Sequence, residues 1–164
     1  MTADPLAARF AEIWAQADTL DESELVRRID EVSATRADDP RSLAERGGAR
    51  DSTGDPEGAV GFYRQALDDG LADPERSQVV IQLASTLRNL DRHDEALALI
   101  RGHFEGHDDH PLAASASAFV ALILATSGRD REAVVELLRT LVPTLPRYQR
   151  SLNAYTDALE RDEL

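Results

Sequence analysis

The chain has 164 residues, enough for one domain with an apolar core of its own and no need of disulfide or metal support. It contains no cysteine and no lysine, which excludes disulfides, thiolate catalysis, Cys-ligated zinc, Schiff-base chemistry and the lysine of a P-loop. A net charge of −13 argues against nucleic acid and anionic membrane as partners and suits a basic one. With aromatics at 5% of residues, the core has to be built from Leu, Ala and Val, which fits close-packed helices better than a sheet. A basic complement made only of arginine fits a GC-rich coding genome. No stretch approaches the roughly 20 apolar residues that span a bilayer. The N-terminus shows no basic region followed by an apolar run, so a cytoplasmic protein is expected.

Asp-Pro pairs punctuate the chain. Asp4-Pro5, Asp39-Pro40, Asp55-Pro56 and Asp73-Pro74 each set a capping carboxylate before a proline at the first helical position. Asp21 followed by Glu24 has capping-box spacing, and His110-Pro111 marks a further start. Helices are predicted over 5–18, 22–36, 40–52, 56–69, 74–89, 92–105, 111–126, 130–142 and 147–161. Apolar periodicity supports them: Leu6, Phe10, Ile13, Trp14 and Ala17 form one stripe, Leu25, Ile29 and Val32 the next. In the last helix Tyr148, Leu152, Tyr155 and Leu159 recur on one face.

Within this series a unit repeats. Ala59, Ala96 and Ala133 are separated by two equal steps of 37, and so are Gly47, Ala84 and Ala121, and Gly54, Asp91 and Gly128. Each unit reads as two antiparallel helices in which a small residue on the first faces an alanine on the second. Tyr63, Ile100 and Leu137 then fill the space one turn later. This resembles the tetratricopeptide repeat: a small residue, alanine twelve positions on, and a large residue four further. The period of 37 exceeds the usual 34, which places the extra residues between hairpins, near 68–77 and 105–114. Gln82 through Leu90 with Asp94-Glu95-Ala96, and the tail Arg147-Tyr148 to Leu159, are similar to a small bacterial family, tetratricopeptide repeat group 5. The resemblance covers about residues 40–160.

The expected fold is therefore all-α: an α-solenoid of three tetratricopeptide-like hairpins in one domain over 1–164. An N-terminal helix pair spans 1–38, the repeats span 39–73, 74–109 and 110–145, and a capping helix spans 146–164. The resemblance implies a concave groove lined by the first helix of each hairpin. That places Arg41, Glu45, Asp51 and Ser52 in it from the first repeat, and Gln78, Gln82, Ser85, Arg88 and Asn89 from the second. Ser115, Ala118, Leu122 and Thr126 are the corresponding positions of the third. On the middle helix Gln78, Gln82, Ser85 and Asn89 form one polar stripe. Its amides suit a peptide backbone, and Arg88 suits a carboxylate. The positions where chaperone-tail grooves carry their lysines and asparagines hold Arg41, Ala44, Glu45, Gln78 and Gln82 here.

No serine stands in a nucleophile-elbow context, and no Gly-rich phosphate loop is present, so no enzyme, catalytic residue or cofactor is expected. His103, His107 and His110 are the one metal-like cluster, read here as a polar helix-end loop. The reading is a protein- or peptide-binding adaptor. The alternative is a homo-oligomeric scaffold, such as a homodimer, that associates through end helices bearing Phe10, Trp14, Tyr148 and Tyr155.

Overall fold

A computed structural model of the chain describes residues 4–163. Nine α-helices and no strand occur among them. They are α1 (Pro5–Trp14), α2 (Glu22–Ser33), α3 (Pro40–Ser52), α4 (Pro56–Asp68), α5 (Glu75–Asn89), α6 (His93–Phe104), α7 (Ala113–Thr126), α8 (Asp130–Leu141) and α9 (Gln149–Glu160). The sequence places every one of them. The expected tails of α1, α2 and α8 prove to be short 3-10 turns at Ala17–Thr19, Ala34–Arg36 and Val142–Thr144. No helix is long and apolar enough to cross a membrane.

Three of the four Asp-Pro caps work as their chemistry demands, whereas α5 begins at Glu75, one residue past Pro74, and Asp21 makes no side-chain capping bond to α2. The carboxylates of Asp4, Asp39 and Asp55 accept from the amides of Leu6, Arg41 and Gly58 at 3.1, 2.9 and 3.0 Å. Asp73 accepts from both the amide and the hydroxyl of Ser77, at 3.2 and 2.6 Å. At the turn inside each hairpin the chain enters the left-handed region at Gly54, Asp91 and Gly128, with φ of 80°, 58° and 79°. These are the three positions the 37-residue step equates. Aspartate holds the middle one because its short polar side chain tolerates that conformation.

The chain divides into two compact units, residues 1–86 and 87–164, so α5 begins in the first and ends in the second. In the first unit α1 packs on α2, α2 on α3, and α3 on α4. Leu6, Phe10, Ile13, Leu25, Ile29, Val32 and Ala49 form one buried cluster, which Trp14 and Val26 flank. Between α3 and α4, Gly47 makes room for the Tyr63 ring: a Cβ at Gly47 would lie 2.6 Å from Cδ1. In the second unit α6 packs on α7, α7 on α8, and α8 on α9. Ala96, Ile100, Ala121 and Ala133 are buried there as expected, but Leu137 is not: it is 47% exposed. On α9 the buried residue is Thr156, with Leu152 and Leu159 half-buried, whereas Tyr148 and Tyr155 project outward.

Candidate functional site

On α3 the expected groove residues are already engaged. Arg41 donates to Asp4 at 2.7 Å and to Glu75 at 2.5 Å, so the cap residue of α1 and the first turn of α5 hold its guanidinium. Glu45 accepts from the indole Nε1 of Trp14 at 2.5 Å. Burial raises the Glu45 carboxyl above its ordinary value, against the Trp14 hydrogen bond and nearby Arg41, which lower it. Asp51 shows the same pattern, with burial pushing it up and the Thr86 hydroxyl opposing. Trp14 reaches α3 because Gly48 leaves space: a Cβ there would sit 3.3 Å from the indole ring. Repetition alone could not disclose this contact, since Trp14 lies outside the three units.

The other face of α3 is bound as firmly. Arg46 and Arg50 both reach Asp30, at 2.9 Å each, and both guanidiniums lie over the Phe62 ring at 4.2 and 4.5 Å. Burial would raise Asp30, but Arg50 and Arg46 more than offset it and hold it below the usual aspartate range.

On α5 the residues are not spent in this way. Gln78, Gln82 and Asn89 are exposed and Ser85 is half-buried. Gln78, Gln82 and Ser85 make no side-chain hydrogen bond among the described residues. Arg88 is half-buried, and its Nη2 donates only to its neighbour, Asn89 Oδ1, at 2.9 Å. Its Nε is buried without an acceptor, and no carboxylate pairs with it among the described residues. The arrangement offers a row of neutral amides with a cation at its end.

The histidine loop holds together differently from a metal centre. Phe104 stands edge-on to His103 at 4.8 Å and to His110 at 5.4 Å between ring centroids. His110 Nδ1 accepts from the Leu112 amide at 3.1 Å, in effect capping the turn that leads into α7. No group of three metal-ligating side chains converges among the described residues.

In the third hairpin the expected groove positions Ala118 and Leu122 line an apolar groove of about 480 Å³ between α7 and α8, with Val134 and Leu137 opposite. Its only charged lining residue is Asp130.

Comparison with known proteins gives the following. A family model described as Tetratrico peptide repeat matches residues 40–159. No curated protein matches. A crystal structure of MamA protein superposes with a TM-score of 0.64 at 12% identity, over 84% of this chain and 72% of that one. A MamA RS-1 ArsTM double mutant superposes with a TM-score of 0.61 at 16% identity, over 98% of this chain and 97% of that one. At such identities the likeness concerns the helical-repeat fold alone.

Proposed function

Because this chain belongs to the tetratricopeptide repeat family, whose fold generally mediates protein–protein interaction, we propose that it is a non-enzymatic adaptor holding a protein or peptide partner on the polar face of α5. The observation that carries this reading is Arg88, a half-buried guanidinium with no carboxylate among the described residues to answer it. A buried donor left unmatched costs about 1–3 kcal/mol, and a partner carboxylate recovers that cost on binding. Gln78 and Gln82, one turn apart, pair with an extended peptide backbone in both directions, and Ser85 and Asn89 continue the row.

The expected groove narrows accordingly. Arg41 and Glu45 have intramolecular partners and serve to fix α1 against α3, while Asp51 answers Thr86. Of the expected positions on α3 and α5, the five on α5 meet the partner. The net charge of −13 draws a partner that is basic overall, with one carboxylate reserved for Arg88.

The test is affinity capture with wild type, with an Arg88→Glu/Gln82→Ala double variant, and with a Glu57→Arg variant on exposed α4 surface. A stoichiometric protein retained by wild type and Glu57→Arg but lost from the double variant supports the reading. A partner that all three retain places binding elsewhere and refutes it.

A further inference from the structure

The second unit carries an apolar face that its own helices leave open. Leu122 of α7 is 48% exposed, and Val134, Leu137 and Leu141, one stripe along α8, are 45%, 47% and 51% exposed. Tyr148 and Tyr155 at the edge of α9 are 75% and 59% exposed. In most surface helices such residues turn inward.

Ion pairing explains why α9 leaves them uncovered. Arg139 donates to Asp157 at 2.6 Å and to Glu160 at 2.7 Å. On a 3.6-residue helix Asp157 and Glu160 lie to one side of the buried Thr156 and Tyr155 lies to the other, while Tyr148 stands just before the helix with a φ of 69°. On α8, Arg139 likewise lies on the opposite side of the α9-facing edge from Val134, Leu137 and Leu141. The salt-bridged edges of the two helices meet, which leaves Tyr155 on the side of α9 away from them.

We infer that this face is a self-association surface. Two copies of the chain dock about a two-fold axis, and the α9 tyrosine ridge of each enters the α7–α8 groove of the other. Three observations carry the assignment. The first is chemistry: the groove is floored by Ala118, Ala121, Ala125 and Ala133 and walled by Leu122, Val134 and Leu137, an apolar slot suited to an exposed aromatic ring such as that of Tyr155. The second is area. The six exposed residues present on the order of 600 Å² of accessible surface per copy. The alanine floor adds to this, approaching the ~800 Å² each partner gives to a standard stable interface. The third is that groove and ridge belong to one unit of one chain. A two-fold pairing therefore satisfies both twice, which an isologous contact requires. Tyrosine suits the role, with a ring to bury and a hydroxyl left at the wet rim.

The experiment is sedimentation equilibrium of the full chain up to about 200 µM, an upper bound for a specific weak dimer. It compares wild type, a ridge variant (Tyr148→Arg/Tyr155→Arg), a groove variant (Leu122→Arg), and an equimolar mixture of the two. Wild type should be a concentration-dependent dimer, and each variant should weaken association by about 100-fold or more. The mixture should form heterodimers more tightly than either variant forms homodimers, because one ridge and one groove remain intact. Helical circular dichroism checks that the variants fold, and Tyr155→Ser with Leu122→Ser repeats the comparison if the arginines disturb it. A monomeric wild type overturns the inference and leaves the face to a foreign apolar helix. A dimer that both variants leave intact, or a mixture no tighter than its components, overturns it equally.

Discussion

At the N-terminal end, α1 places Leu6, Phe10 and Ile13 against Leu25, Ile29 and Val32, and ties its Trp14 to Glu45 and its cap residue Asp4 to Arg41. At the C-terminal end, α9 is bound to α8 through Arg139, Asp157 and Glu160, while Tyr148 and Tyr155 stay in solvent beside an unfilled groove. Both ends were expected to cover a helical stack. The difference lies in what sets the rotation of the end helix. In α1 the apolar stripe coincides with the contact edge. In α9 the contact edge is Thr156 with Leu152 and Leu159, bordered by the ion-paired Asp157 and Glu160, and the tyrosines are turned out. An end helix with its apolar residues inside closes the repeat, and one with them outside makes a surface for association.

Removing one aromatic ring from each end helix sharpens the contrast. Phe10→Ala removes a ring that is 1% exposed and should cost about 3–5 kcal/mol in urea unfolding. Tyr155→Ala, at 59% exposed, should stay within about 0.5 kcal/mol for the monomer. Equal losses at the two sites would mean that α9 is seated differently. A smaller effect is expected at Gly47, whose Cβ would lie 2.6 Å from the rigid Tyr63 ring: Gly47→Ala should destabilise by about 1–3 kcal/mol. Gly61→Ala, with nothing within 4 Å, should instead stabilise by about 0.5–1 kcal/mol through helix propensity.

The smallest effect concerns pH. Burial raises Glu45 above its unfolded value, so between the two values the folded state holds more proton than the unfolded state. Its contribution to stability is therefore present at low pH and lost as pH rises from about 4.5 through the raised value. Glu45→Gln should abolish that loss, so that stability measured between pH 4.5 and 7 rises more with pH than in wild type. An unchanged profile would show that Trp14 does not bury this carboxylate.

The helices and their order were legible because their signals are local: Asp-Pro caps, positive-φ turn residues and a strict 37-residue step. The second hairpin's Asp91 could be equated with Gly54 and Gly128 from spacing alone. Which groove residues stay available was not legible. Arg41 and Arg88 both read as cations on the first helix of a hairpin, and only tertiary contacts from Asp4 and Glu75 separate them. The orientation of α9 was hidden for the same reason, since its aromatic stripe reads as an inward face until Arg139 is placed.

The central claim is that the α5 face, and not α3 or α4, meets the partner. It is tested most directly by site-specific photocrosslinking in cells of the source organism. A photoreactive residue is placed in turn at Gln82, at Glu45 and at Glu57. A single dominant adduct with another protein at Gln82, absent at the other two positions, is the expected result. Adducts of equal yield at Gln82 and Glu57, or none at Gln82, would contradict the account.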